Sequence, residues 1–138
     1  MTEHICTHSS LWRQTFDGCE LLNDDNPTIR IVGDSIKIYG TPWSGKTPCY
    51  KKQSCRLMGV ARLQQAPENI FQPLQGIEAF VALLPGCMAL RHCKKLYDQA
   101  CDNLFKISER TSVGRLKCLP NQDAARLCYE SLNNNINN

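Results

Sequence analysis

The sequence lacks any apolar run that approaches the roughly 20 residues needed to cross a membrane. Its first ten residues, MTEHICTHSS, contain neither an apolar stretch nor a small-residue cleavage site, so the sequence predicts no secretory signal. The chain also has little net charge. Its value of +3 falls short of the basic surface expected of a dedicated nucleic-acid binder. These absences predict a cytoplasmic protein that binds neither membranes nor nucleic acid.

Closely spaced cysteine pairs are absent as well. The chain has nine cysteines, and no two of them form a C-x-x-C pair. Zinc sites usually combine two such pairs, so the spacing argues against a metal cluster. In a reducing cytoplasm disulfides are rare, and we expect most of the thiols to be free and to pack as small buried hydrophobes.

What is present is the composition of a globular domain. The 138 residues are 42% hydrophobic and 21% charged, which suits a chain that folds around a core of its own. We interpret residues 1–133 as a single α/β domain. The polar residues 134–138 are expected to form a disordered tail.

Hydrophobic periodicity predicts a layered α/β structure, a mixed sheet with a β-hairpin and helices packed on it. The clearest signal is TIRIV-GD-SIKIY (28–39), two alternating runs joined by a two-residue turn. The other predicted elements are a helix over 9–16, a strand at 19–22, a strand buried on both faces over 55–64, helices over 76–84 and 88–107, a strand over 113–119 and a final helix capped by Asn121.

The segment from Gly40 to Thr47 matches the phosphate-loop pattern G-x-x-x-x-G-K-[ST]. A true loop of this class runs from a strand directly into a helix, so that amides and the helix dipole converge on the phosphates. Residues 48–55 show no helical period, and Pro42 removes one amide donor. We therefore predict that Thr47 is followed by a loop or strand and that this segment is not the ATP loop.

Four segments together resemble a family of bacterial proteins related to HPr kinase and ATP-type phosphoenolpyruvate carboxykinase. They are LLNDDNPTIRI, IYGTPWSGKTPCY, GVARLQQAPEN and IEAF, and the resemblance covers about residues 8–133. It implies a partial P-loop kinase core whose ATP-binding loop, G-x-x-G-x-G-K-[ST], lies upstream. Residues 1–8 contain no glycine and no lysine, so the chain is expected to be incomplete at its amino end.

The resemblance also implies a function and its partners. The chain would be the carboxyl-terminal part of a nucleotide-dependent phosphotransferase, inactive alone, that uses ATP and Mg²⁺ and transfers to an unknown phosphate acceptor. A partner chain would complete the site. The alternative is a non-catalytic interaction module, or a peptide- or nucleotide-binding module, derived from the same fold.

Two groups of residues are candidates for the site. By the resemblance, Asp24 and Asp25 are the catalytic and metal-binding carboxylates, although Asn-Asp-Asp-Asn-Pro is also ordinary turn chemistry. A second loop would bind nucleotide or phosphate through its amides and one ammonium, unless its glycines only satisfy backbone geometry. Trp43 is expected to be a packing anchor of that loop. The predicted ligands in the second loop are Gly40, Thr41, Ser44, Gly45 and Lys46.

Overall fold

A computed structural model describes residues 2–87 and 92–134, with side chains from residue 8 onward. The described residues form a mixed α/β structure with two three-stranded sheets, where we had predicted one mixed sheet. The elements are α1 (Thr2–Thr15), β1 (Thr28–Val32), β2 (Ser35–Tyr39), β3 (Ser54–Arg56), β4 (Gly59–Gln65), β5 (Ile70–Leu74), α2 (Gly76–Leu83), a 3₁₀ turn (Leu84–Gly86), α3 (Lys94–Arg110), β6 (Ser112–Cys118) and α4 (Gln122–Asn134).

The first sheet contains the predicted hairpin, which is confirmed. β1 and β2 pair antiparallel, with Val32 opposite Ser35 across the turn and Thr28 opposite Tyr39 at the open end. Gly33 has a φ of 57°, a left-handed conformation that glycine adopts without strain. β3 pairs antiparallel with β2 and completes this sheet.

The second sheet has the order β4-β6-β5 and holds the core. β6 is its central strand, parallel to β4 and antiparallel to β5. α4 covers one face, where Leu116 is fully buried against Ala124 and Cys128, and α1 packs against α4. α2 covers part of the other face through Ala79 and Ala82.

The predicted continuous strand over residues 55–64 is wrong. The chain divides at two consecutive residues whose backbones bond in different sheets. The amide of Leu57 donates to Ile36 in β2, whereas the carbonyl of Met58 accepts from Ser112 at the start of β6. The result is two strands, and β4 lies at an edge. The strand buried on both faces is β6.

The predicted strand at residues 19–22 is also wrong, since these residues are irregular. No described strand pairs with them. Instead, the carbonyls of Leu21 and Leu22 both accept from the thiol of Cys49 at 3.3 Å. A compact apolar run without a neighbouring strand has no ladder to join.

The strand β5 was missed because Pro73 lies within it. Proline cannot donate to a ladder, so it is confined to edge strands where its nitrogen faces outward. Pro73 stands opposite Gly114 of β6 on such an edge. A side chain at position 114 would collide with the Phe71 ring, so the glycine gives that ring its place in the core.

The helix predictions hold with shifted limits. α1 includes residues 9–15 but begins at Thr2, and α2 ends at Leu83 immediately before the turn that contains Pro85. α3 begins at Lys94, and residues 88–91 of the predicted helix, Leu90 among them, lie outside the described residues. The Asn121 side chain caps α4 by accepting from the amide of Ala124 at 3.0 Å. α4 reaches Asn134, and the remainder of the predicted tail is outside the described residues.

All eight cysteines with described side chains are free. Cys49, Cys118 and Cys128 are buried, but the other five are half-buried or exposed, so the expectation that most of the thiols pack as buried hydrophobes is wrong. Among residues 2–87 and 92–134, no helix is both long and apolar enough to cross a membrane.

Candidate functional site

The candidate site lies at the open end of the β1–β2 hairpin. One segment, here called the acidic loop, is residues 23–27 and leads into β1. The other, here called the glycine loop, is residues 40–53 and follows β2. Because Thr28 and Tyr39 are paired in register, the two loops leave the sheet side by side. Their proximity therefore follows from the hairpin itself, and the site's chemistry depends on how their side chains meet.

Asn23 organises the acidic loop and joins it to the glycine loop. Its side-chain oxygen accepts from the amides of Asp25 at 2.9 Å and Asn26 at 2.7 Å, which forms an Asx turn. Its side-chain nitrogen donates to the carbonyl of Trp43 at 2.8 Å and to the hydroxyl of Thr41 at 3.2 Å. The Thr41 hydroxyl in turn donates to the carbonyl of Asn26 at 2.8 Å. One amide side chain thus connects the two loops.

Asp24 holds the glycine loop through two backbone amides. One carboxylate oxygen accepts from the amide of Gly45 at 2.7 Å, and the other accepts from the amide of Thr47 at 2.7 Å. The Asp24 side chain is buried, with 8% of its surface exposed. A Cβ at position 45 would lie 3.2 Å from the Asp24 oxygen, so glycine allows this close approach. Asp24 is therefore a clamp between the loops.

The segment has the sequence pattern of a phosphate loop, but the clamp shows that two of its amides have a different partner. Successive amides in such a segment form a concave site for an anion. Here the anion that two of them receive is the protein's own Asp24 carboxylate. Thr47 is followed by irregular backbone and then by β3, so the prediction that no helix begins here is confirmed.

The far end of the glycine loop closes on itself. The amide of Gly40 donates to the carbonyl of Gln53 at 3.0 Å. A side chain at position 40 would collide with the backbone carbonyl of Lys51. Cys49 is buried and donates its thiol to the carbonyls of Leu21 and Leu22, just before the acidic loop. The two ends of the glycine loop are thus bonded to each other, and its middle is attached to the preceding segment.

A shallow cavity of about 260 Å³ adjoins the site, between the glycine loop and residues 19–21. Arg13 and Lys51 line it together with Glu20. The Lys51 ammonium lies 2.7 Å from the Glu20 carboxylate, and this hydrogen bond and the positive charge lower the pKa of Glu20. Glu20 is exposed, so the pair is a surface contact of small energetic weight.

All seven predicted site residues lie in these two loops, but their roles differ. Asp25 and Lys46 are exposed, and Ser44 is half-buried. Asp24, Thr41 and the amides of Gly40 and Gly45 form bonds within the protein. The sequence patterns did not indicate Asn23 or Cys49 as members of the site. The Asx-turn signature Asn-Asp-Asp-Asn-Pro is the signal that identifies Asn23.

Trp43 corrects another expectation. We predicted it as a packing anchor, yet 64% of its surface is exposed. The glycine loop is held instead by the Trp43 carbonyl, which accepts from Asn23. The indole is left on the surface of a loop whose backbone is fixed.

The implied cofactors fit these residues poorly. A triphosphate needs several free amides in one concave site, and those of Gly40 and Gly45 are engaged. Magnesium usually keeps several of its waters, and the Asp24 carboxylate is buried, with each oxygen already accepting an amide hydrogen bond. In the part of the chain that the structure describes, no three His, Cys, Asp or Glu side chains are grouped to hold a metal ion. Asp25 is the one member of the acidic pair with an exposed carboxylate.

Comparison with known proteins adds no relative, since no family model, no curated protein and no solved structure matches the chain.

Proposed function

We propose that this chain is the substrate-side part of a nucleotide-dependent phosphotransferase of the HPr kinase and carboxykinase type, and that it has no turnover by itself. The observation that carries the proposal is the Asp24 clamp, which joins the acidic and glycine loops through two bonds of 2.7 Å. Phosphoryl transfer depends mainly on rigid positioning and charge stabilisation. Two loops joined by these bonds would offer the rigid positioning.

In this proposal the residues have separate tasks. Asp24 is a positioning residue, because both of its oxygens are bound to backbone amides. Asp25 carries the exposed carboxylate, which would accept the proton of an acceptor hydroxyl. Lys46 is exposed between the two amides that Asp24 holds, where its ammonium would compensate phosphate charge. Ser44 would add a hydroxyl donor.

The nucleotide is assigned to residues outside this chain. The glycine loop does not offer a triphosphate cradle, so the proposal requires an ATP-binding loop from a completing segment or partner chain. Magnesium would arrive with the nucleotide, and this chain would contribute at most the Asp25 carboxylate. The acceptor is the molecule that would meet Asp25 and Lys46.

The experiment compares the 138-residue chain with a fusion that carries an upstream G-x-x-G-x-G-K-[ST] segment. Release or transfer of the terminal phosphate of ATP is followed by ³¹P NMR. The chain alone should show no turnover, since each missing charge-stabilising donor costs roughly 3 to 4 kcal/mol. The fusion should be active, Asp25→Asn should abolish that activity, and Asp24→Asn should reduce it together with stability.

Two outcomes would contradict the proposal. Turnover by the 138-residue chain that disappears in Asp25→Asn would return the phosphate-loop role to Gly40–Thr47. An inactive fusion that binds nucleotide would remove the phosphotransferase assignment.

A second candidate function is a non-catalytic interaction module. The observation in its favour is that the amides of Gly40, Gly45 and Thr47 are satisfied within the protein while Trp43 is exposed on the same loop. Exposed aromatic side chains on rigid backbone are frequent anchors of protein interfaces. Under this hypothesis Trp43→Ala would abolish partner binding, whereas Asp25→Asn would leave it unchanged.

A further inference from the structure

β4 forms one edge of the second sheet, and the ends of its ladder show which backbone groups face outward. The amide of Ser112 donates to the carbonyl of Met58 at 3.3 Å, and the amide of Ala66 donates to the carbonyl of Cys118 at 3.2 Å. In a parallel ladder, alternate residues of a strand make both bonds to the neighbour. Even-numbered residues of β4 therefore face β6. The residues whose N–H and C=O groups point away from the sheet are Gly59, Ala61, Leu63 and Gln65.

No described residue forms a hydrogen bond with these outward groups. β4 has seven residues and contains no proline, so its free edge is long and regular. Natural proteins usually protect such an edge by shortening it, by placing charges or a proline in it, or by covering it. Among residues 2–87 and 92–134, β4 has full length, no proline and no paired strand at this edge, and Arg62 is its one charged side chain.

The opposite edge of the same sheet is protected. Gly114 lies on β6 between Pro73 of β5 and Ala61 of β4. Since even-numbered residues of β4 and β6 bond to each other, the N–H and C=O groups of Gly114 point toward β4. Gly114 therefore makes no hydrogen bond to Pro73, whose nitrogen faces the outer side of β5. That edge lacks a donor at its centre. The two edges of the sheet therefore differ, and β4 is the one open to a further strand.

Side chains beside the β4 edge determine what such a strand should contain. On the α4 face, Ala61 and Leu63 pack against the cluster around Leu116. On the other face, Arg62 stands directly opposite Arg115 of β6 in the register. Like charges in directly opposed positions destabilise a sheet. Among the described residues neither arginine forms an ion pair with a carboxylate. The Arg62 guanidinium donates one hydrogen bond, to the carbonyl of Ala82 in α2 at 3.1 Å, which leaves its charge without a counter-ion.

We propose that the free edge of β4 binds an extended segment of a partner polypeptide as an added strand, with apolar residues alternating with acidic ones. The apolar residues would extend the face of Ala61 and Leu63, and the acidic residues would lie beside Arg62 and relieve its repulsion with Arg115. Single-stranded nucleic acid fits this surface less well, because the residues of β4, β5 and β6 on the arginine face include no aromatic side chain for base stacking. The surface lies on the second sheet, so the inference does not depend on the proposed function.

Amide hydrogen exchange tests the inference residue by residue. The probe is a peptide as long as β4 in which valine alternates with glutamate, added to ¹⁵N-labelled full chain. We expect new protection at the amides of Ala61, Leu63 and Gln65. The amides of Val60, Arg62 and Gln64 already bond to β6 and should change little. Peptides in which valine alternates with lysine, or in which the valines and glutamates form two blocks, should not bind.

Two kinds of variant separate the backbone and charge contributions. Ala61→Pro removes an outward amide without breaking the ladder to β6 and should weaken peptide binding at least about tenfold. Gln65→Pro, nearer the end of the strand, tests the same point if Ala61→Pro does not fold. Arg62→Glu should weaken binding about five- to tenfold, while Arg30→Glu on the first sheet makes the same charge change and should have no effect.

Three outcomes would overturn the inference. The first is peptide binding that both proline variants leave unchanged. The second is protection of the outward amides that rises with protein concentration without peptide, because a second copy would then be the occupant. The third is binding of a single-stranded oligonucleotide in preference to the valine–glutamate peptide.

Discussion

The carboxylate of Asp24 lies 2.7 Å from the amide nitrogen of Gly45, although 21 residues separate them in the chain. A second bond of the same length to the amide of Thr47 completes the clamp. The neighbouring Asp25 is exposed. Two adjacent aspartates of the same sequence motif thus have different physical environments, and their substitution should have different effects.

Asp24→Ala should lower the free energy of unfolding by about 2 kcal/mol or more, because two amides lose their acceptor in a partly buried site. Asp25→Ala is the matched control and should change the free energy by less than about 0.5 kcal/mol, as surface substitutions usually do. Urea denaturation followed by circular dichroism measures both. Equal effects of the two substitutions would show that Asp24 is not a clamp.

Gly40→Ala should destabilise the protein by about 1 to 3 kcal/mol, since its methyl group would collide with the backbone carbonyl of Lys51. Gly86→Ala is the control, because no atom lies within 4 Å of a Cβ built there and its φ is not positive. That change should be neutral or slightly stabilising. Thermal denaturation of both variants distinguishes the two cases. An unchanged melting temperature for Gly40→Ala would contradict the closed geometry of the glycine loop.

Cys128 should make stability fall as the solution becomes alkaline. Burial, and secondarily the neighbouring Cys118, raise the pKa of Cys128 from 9.0 to about 12. Between pH 9 and pH 12 the Cys128 thiol is therefore deprotonated in the unfolded chain but keeps its proton in the folded protein. The stabilisation is therefore complete below pH 9 and is lost as the pH rises toward 12, by about 1.4 kcal/mol per pH unit.

The measurement is urea denaturation of the wild type and of Cys128→Ala at pH 8, 9 and 10. The packing cost of the substitution should not depend on pH, so the stability advantage of the wild type should shrink from pH 9 to 10. Reaction of the native thiol with iodoacetamide should also be slow, because the thiolate is the nucleophile. A pH-independent difference between the two proteins would contradict the prediction.

The two tryptophans should respond differently to a soluble quencher. Trp43 is 64% exposed, whereas Trp12 packs partly buried against the core, with its ring centroid 5.3 Å from that of Phe16. Acrylamide should quench Trp12→Phe, which retains Trp43, more strongly than Trp43→Phe. Trp43→Ala should also change stability by less than about 0.5 kcal/mol. Equal quenching would restore the interpretation of Trp43 as a packing anchor.

Local patterns in the sequence were sufficient for elements whose signals are short-range. The Gly33-Asp34 turn between alternating runs predicted the hairpin at its observed limits, and Asn121 predicted the cap of α4. Proximity of the acidic and glycine loops follows from the hairpin, so their meeting could be predicted too. Each of these features depends on neighbours within a few residues or on one antiparallel pair.

Features that depend on distant partners could not be predicted in this way. An apolar run becomes a strand only if another strand is available to pair with it, and residues 19–22 have none. The break at Leu57 and Met58 exists because two different sheets compete for consecutive backbone groups. β5 was not predicted because it contains Pro73. Proline is compatible with an edge strand only, and the sequence does not show whether a strand will lie at an edge.

The sequence by itself determined the α/β class, the hairpin and the placement of polar residues at its open end. It also determined that the Gly40–Thr47 segment would not lead into a helix, because Pro48 and the polar residues that follow have no helical period. Tertiary structure decided which anion the glycine loop receives. In the folded chain the amides of Gly45 and Thr47 donate to Asp24, which lies more than 20 residues earlier in the sequence, and Asp25 remains on the surface.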